Sequence, residues 1–155
     1  MPFLTRYPAP ALVAAALAFG ASAAQAGECP PEHKLAQPRE LTAPPDVGTM
    51  RQVLTSVDMS GWRKVDGLAL RMRRLVVAKD GFVPLHYHND RPSIVYVVSG
   101  EIVEHATFCG VPILHKAGEW TPEFGDFMGH RWENRSGAEV VLISTDVVPL
   151  ENVNF

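Results

Sequence analysis

The 155-residue chain holds 14 Lys and Arg against 17 Asp and Glu, a formal net charge of −3, and 46% of its residues are hydrophobic. All of the acidic residues and thirteen of the basic ones follow residue 26, so that part carries a charge of −4, which is not the balance of a nucleic-acid binder. Its length suffices for one domain with a single core and no more.

Residues 1–26 combine one positive charge at Arg6, an apolar alanine-rich run from Ala9 to Phe19, and Ala24-Gln25-Ala26, the small-x-small pattern that a signal peptidase cleaves. The run is short for a membrane span. A cleaved secretory signal is therefore expected, giving a secreted or periplasmic protein that starts near Gly27 and has no membrane span after processing; a retained anchor is the alternative. Cys29 invites lipidation, but Glu28 precedes it where a small residue is needed. Residues 27–50 hold Pro30, Pro31, Pro38, Pro44 and Pro45 without apolar period and read as an extended arm, draped on the domain or on a second copy in a homodimer.

From residue 51 to 155 the pattern is of strands. Val53, Thr55 and Val57 alternate with more polar neighbours, Leu68 to Ala78 is a long strand candidate, and Ile94–Val98 is expected to pair with Ile102–Phe108 in a hairpin through Ser99-Gly100. In Arg71-Met72-Arg73-Arg74 the charges read as the solvated face of a strand whose other face is Leu68, Leu70 and Met72. Val140–Val148 is the last clear strand. No amphipathic helix of ten residues stands out, so an all-β, closed or sandwiched domain is expected. Trp62, Tyr96, Trp120, Phe124, Phe127 and Trp132 are expected mostly in the core or a dimer interface.

His86 and His88 stand one residue apart in an extended stretch, so both project from one face, roughly 7 Å apart at the backbone. Two imidazoles so placed can reach one ion; an isolated pair of this kind is more often a solvated face or a satisfied core histidine. The surroundings shift that balance. The segment Gly81-Phe82-Val83-Pro84-Leu85-His86-Tyr87-His88-Asn89-Asp90-Arg91-Pro92-Ser93, continuing to Gly100, resembles the first motif of the cupin superfamily. Gly118 to Asn134 resembles the second, with three residues between His130 and Asn134. Together they cover the central third of the chain and are closest in style to small type-2, RmlC-like cupins.

The resemblance implies a double-stranded β-helix, or jelly-roll, cupin barrel in which His86, His88 and His130 bind a divalent transition metal (Fe, Mn, Zn, Ni or Cu). It also marks two departures. Ser93 occupies the position where the family places a glutamate ligand, and neither Glu101 nor Glu104, beyond the Ser99-Gly100 turn, is an obvious substitute. In the second motif Phe124 and Asp126 replace the usual proline and glycine and His130 comes one residue late, which suggests a small insertion or bulge. A three-histidine site with open positions for a small-molecule ligand follows, with Arg91, Ser93, Tyr96 and Trp132 as candidate substrate contacts. Arg91 equally reads as a solvated loop residue.

Cys29 and Cys109 admit three readings: a disulfide fastening the arm, a buried thiol at Cys109, or a second metal shared by Cys109 and His115. For function, a metal-dependent enzyme such as an oxygenase stands beside a non-catalytic cupin that captures a metal or a small ligand.

Overall fold

The computed structural model describes residues 27–154; the expected signal segment, residues 1–26, lies outside them. The architecture is all-β, with β1 (Val47–Asp58), β2 (Leu68–Tyr87), β3 (Ser93–Ser99), β4 (Glu101–Ala106), β5 (Ile113–Lys116), β6 (Trp120–Glu123), β7 (Gly129–Glu133) and β8 (Val140–Pro149). Two single-turn 3-10 helices, Pro31–His33 and Leu150–Asn152, are the only helices among the described residues. None is long or apolar enough to cross a membrane.

Every strand pair is antiparallel, in the order β5-β4-β7-β2-β8-β3-β6, with β1 added on β2. The ends of this sheet are drawn together where the β5–β6 turn meets β3: Gly118 N–H donates to Val97 O and Val97 N–H to Glu119 O, both at 2.9 Å. The result is a nearly closed jelly-roll barrel. Its organiser is β2, whose first half pairs with β1 and β8 and whose second half pairs with β7. The strand changes sheets at Asp80-Gly81. Asp80 takes a φ of 58°, and a Cβ on Gly81 would stand 2.8 Å from Ala78 O and 2.9 Å from Val47 O, so only glycine fits this bend.

The Ser99-Gly100 turn does not make the expected hairpin. Strand β3 pairs with β6 and β8, whereas β4 pairs with β5 and β7. Gly100, at φ 81°, is a corner at which the chain leaves the β6-β3-β8 side of the barrel for the β5-β4-β7 side. A glycine between two apolar runs signals a reversal in either case; the long-range partners decide which.

The barrel interior is graded. One end is apolar, formed by Leu75, Val77, Val83, Val95, Val97, Ile102, Trp132, Val140 and Leu142, each worth roughly 1.5–3 kcal/mol when a large side chain leaves water. Toward the other end of β2 the inward positions become charged. Arg71 and Arg73 are buried and Leu70 and Met72 exposed, the reverse of the solvated-arginine expectation. Asp146 explains the inversion. Directly opposite Arg71 on β8, its carboxylate accepts Arg71 Nε and Nη2 at 3.0 and 2.8 Å and Arg73 Nη2 at 3.1 Å. Alternation identifies two faces, and a buried counter-ion determines which of them is inside. Of the aromatic residues expected in the core or a dimer interface, Trp132 is buried in the core, whereas Trp62, Tyr96, Trp120, Phe124 and Phe127 are exposed on the surface of the chain.

Cys29 and Cys109 form a disulfide, with Cα atoms 5.7 Å apart. The arm is stitched to the barrel beside it, with Leu35 N–H on Phe108 O at 2.9 Å and Gly110 N–H on His33 O at 2.8 Å. Cys29, Ala106, Cys109 and Ile113 make a second small core there.

Candidate metal centre

His86 ends the second half of β2, directly opposite His130 of β7. The late arrival of His130 leaves β7 regular; the register shift falls on β2 between Val83 and His86, and Phe127 takes a left-handed φ of 69° in the turn leading to β7. His88 lies one residue past the strand, where its N–H bonds Met128 O at 2.9 Å and keeps the chain extended. Asn134, the end of the second motif, holds this region to its neighbours: its amide donates to Val77 O, Ala78 O and Ala138 O.

The three imidazoles converge. One ring nitrogen from each of His86, His88 and His130 lies within 4.8 Å of those of the other two. The outward nitrogens are all committed: Nδ1 of His86 donates to Pro84 O at 2.9 Å, Nδ1 of His88 to Arg91 O at 2.9 Å, and Nδ1 of His130 to the Glu104 carboxylate at 2.6 Å. These partners are acceptors only, so each Nδ1 carries the hydrogen and each neutral ring turns its Nε2 lone pair inward. Such ties fix tautomer and orientation of metal-binding histidines.

Two carboxylates missed by sequence reasoning complete the surroundings. Glu104 is buried on β4, and its second oxygen accepts His115 Nε2 at 2.8 Å, so one carboxylate holds two imidazoles. With Cys109 taken up in the disulfide, the reading of a second metal shared by Cys109 and His115 falls. Glu123, at the end of β6, is buried on the other side, with Oε2 3.3 Å from His88 Nε2 and Oε1 3.6 Å from His130 Nε2. Its β3 partner in the ladder is Ser93. No signal in a single sequence marks these glutamates, because their roles depend on strand register.

Electrostatics follow from the burial. Loss of water pulls His86 down to about 2 and His88 to about 4, with His130 adding to both, so these rings are neutral at ordinary pH. For His130 full burial acts in the same direction, but the Glu123 and Glu104 carboxylates outweigh it and the net shift is upward. Burial raises the Glu123 carboxyl. It acts likewise on Glu104, where the hydrogen bonds from His115 and His130 prevail and bring the value down to about 2.

These residues fit a divalent transition ion. His86 and His130 face each other nitrogen to nitrogen at 3.1 Å, and His88 Nε2 and Glu123 Oε1 are buried without hydrogen-bond partners. One proton on His130 would relieve one of these contacts and leave the others bare. Donors around one ion at bonds of about 2.1 Å stand roughly 3–4 Å apart; His86 and His130 at 3.1 Å lie in that range, and all three histidine nitrogens are within 4.8 Å of one another. A dication would also balance the two buried carboxylates.

The other sequence candidates divide. Trp132 packs against His130 with ring centroids 5.6 Å apart and against His115 at 4.8 Å. With Leu75, Val83, Val95 and Leu142 it walls a cavity of about 30 Å³ against His86, His88 and Glu123. Arg91 lines an outer groove of about 160 Å³ with Arg51, Val83, Pro84 and His86, its guanidinium 3.7 Å from Asp146. Ser93 is buried, facing inward. Tyr96 is exposed on β3, where inward positions alternate with outward ones, and so faces away from the histidines and from any substrate beside them.

No protein-family model matches the sequence, and no curated protein matches it. Solved structures do resemble the fold. An RmlC-like cupin from Shewanella frigidimarina superposes with a TM-score of 0.50 at 21% identity, over 68% of this chain and 80% of that one. A Cupin_2 domain of an XRE family transcriptional regulator from Enterobacter cloacae gives 0.49 at 15% identity, over 66% and 98%. A Cupin 2 conserved barrel domain protein from Salinispora arenicola gives 0.49 at 17%, over 70% and 85%. The chain thus has a single cupin-like barrel, and the barrel presents a three-histidine cluster able to hold a divalent transition metal.

Proposed function

We propose that this is an exported cupin-domain protein that binds one divalent transition ion through His86, His88 and His130 and acts on a small anionic molecule as a metal-dependent enzyme, of the oxygenase type or related to it. The observation that carries the reading is the convergence of three Nε2 lone pairs whose Nδ1 partners are all fixed. When bound, the ion supplies Lewis-acid or redox chemistry. The chain supplies the rest. Arg51, paired with Asp46, and Arg91, beside Asp146, line the outer groove next to His86 and offer guanidinium donors to an anion there, and Leu75, Val83, Val95, Trp132 and Leu142 keep the inner side dry. Glu104 keeps the Nδ1 proton on His130, so that its Nε2 stays free for the ion.

A second reading, capture of a metal or small ligand without turnover, is favoured by the size of the inner cavity, since about 30 Å³ admits little more than one water-sized group. Metal analysis of protein purified from its native compartment, followed by O2 consumption with small phenols and diones, separates the two. About one ion per chain, lost in His86→Ala and His88→Ala, supports the site; variants that bind as tightly as wild type would refute it. Metal without turnover of any candidate leaves capture as the function. Export belongs to the same proposal and is supported by the disulfide, a bond that persists in oxidising compartments. Mass spectrometry should find Gly27 at the N-terminus of the exported protein, and an intact Met1 there would overturn the cleavage.

A further inference from the structure

The family pattern places a carboxylate ligand where this chain has Ser93, yet the site does not lack a carboxylate. Ser93 and Glu123 face each other directly across the antiparallel β3–β6 pair. Residues so opposed share one face of the sheet, with Cβ atoms about 4.5–5.5 Å apart. A side chain from either position can therefore reach the same region of the interior. The row continues through Asp146 of β8 to Arg71 of β2, all four residues being buried. Asp146 is committed to the arginines, whereas Glu123 faces the imidazoles of His88 and His130.

Three observations show what Glu123 faces. Its two oxygens approach two different imidazoles of the cluster, Oε2 that of His88 at 3.3 Å and Oε1 that of His130 at 3.6 Å. The His88 ring turns a bare lone pair toward it, because the hydrogen of that ring is on Nδ1 and bonded to Arg91 O. Oε1 of Glu123, Nε2 of His88 and Oγ of Ser93 are all buried without hydrogen-bond partners. A carboxylate against an imidazole lone pair is repulsive as it stands. A cation between them turns the repulsion into two bonds.

We infer that Glu123, delivered from β6 rather than from β3, is a fourth ligand of the ion held by His86, His88 and His130, with Ser93 leaving the space that its carboxylate fills. The inference rests on the metal-site reading above and refines it. With Glu123 bound, the site presents three imidazoles and one carboxylate, so the ion's positive charge is partly met by the protein and fewer positions stay open than three histidines alone would leave.

The test uses the full exported chain and one metal probe, Co2+, read by chelator competition for affinity and by the visible ligand-field spectrum for coordination. Glu123→Gln, which keeps volume, and Glu123→Ala should each weaken Co2+ by on the order of 100-fold, the upper end of what outer partners of metal ligands cost, and should change the spectrum, which loss of an outer partner would leave nearly as it was. The double variant Ser93→Glu, Glu123→Ser should recover affinity to within about tenfold of wild type, because the carboxylate returns from the opposite strand. Circular dichroism checks that each variant is folded. Should both Glu123 variants bind Co2+ with wild-type affinity and an unchanged spectrum while His86→Ala loses the ion, the inference is overturned and the three-histidine reading survives. A wild-type protein that binds no Co2+, Mn2+, Fe2+ or Zn2+ overturns both.

Discussion

Removing the Glu104 carboxylate should damage the metal site and the fold by separable amounts. Glu104 touches no ion; it is 1% exposed and accepts hydrogen bonds from His130 Nδ1 at 2.6 Å and His115 Nε2 at 2.8 Å. In Glu104→Ala both imidazole N–H groups lose their acceptor in a dry interior. At about 1–3 kcal/mol for each stranded donor the loss is roughly 2–6 kcal/mol, a large part of the stability of a small domain. In Glu104→Gln the shape remains. The amide oxygen can still accept from His130, while the amide N–H can donate to His115 Nε2 once the proton of that ring moves to Nδ1, which now has no partner. The glutamine variant should therefore lose only about 1 kcal/mol of stability. Its metal site should still suffer, because a neutral amide makes His130 a poorer donor than a carboxylate does. Outer partners of this kind cost 10- to 100-fold in affinity, about 1.4–2.7 kcal/mol. Urea denaturation of metal-free protein and chelator competition with Co2+ measure the two effects. If Glu104→Gln folds and binds Co2+ as tightly as wild type, Glu104 does not position His130 and the reasoning fails.

Asp146→Ala removes the carboxylate counter-ion of two buried guanidiniums and should cost about 3–5 kcal/mol in urea denaturation, whereas a surface change such as Glu151→Ala should be nearly silent. Burial already brings Arg73 down to about 10 with Asp146 in place, a sign of how dry that end is. Breaking the Cys29–Cys109 link, which spans 80 residues of sequence, should cost up to about 4.5 kcal/mol by restoring chain entropy to the unfolded state; an unchanged denaturation midpoint in dithiothreitol would show that the link contributes nothing. For pH, His86 and His88 have folded values of about 2 and 4, below the ordinary 6.5, so the unfolded chain takes up protons that the fold refuses. Metal-free protein should lose stability as pH falls from about 6.5 toward 4, partly offset by His130, whose raised value acts with the opposite sign. Protons compete with the ion chiefly at His130, whose raised value keeps it charged to higher pH, so Co2+ affinity should weaken as pH falls through the neutral range; an affinity unchanged between about pH 8 and 6 would contradict the carboxylate argument.

The His86–His88 pair was legible because its placement is local: a period of two puts both on one face without knowledge of any partner strand, whereas His130 was reached through the resemblance of its motif. The strand candidates at 53–57, 68–78 and 140–148 were legible for the same reason, although β1 begins at Val47 and β2 runs on to Tyr87. What escaped the sequence depends on register. Arg71 and Arg73 point inward because Asp146 lies opposite, seventy-five and seventy-three residues away. Ser93 looked like a missing ligand because its partner Glu123 sits on another strand of the sheet. Glu104 looked irrelevant because the Ser99-Gly100 turn was read as reversing the chain within one sheet, whereas it carries β4 across to face His130.

The disulfide has a consequence beyond stability. It closes residues 29–109 into a covalent ring that contains the exposed turn after β1, where Arg63 and Lys64 sit at φ 49° and 65°. Such a turn is where a trypsin-like protease would cut first, since loop tips yield most readily to proteolysis. A single cut there opens the ring without dividing the molecule. The piece bearing Cys29 stays bonded to the piece bearing Cys109, and β1 stays paired along β2 on either side of the nick. His86, His88 and His130 all lie on the same side of that cut, so a nicked protein would keep its cluster on one continuous fragment. Two bands would separate only under reduction, and a protein built this way tolerates damage that would dismantle an unlinked barrel.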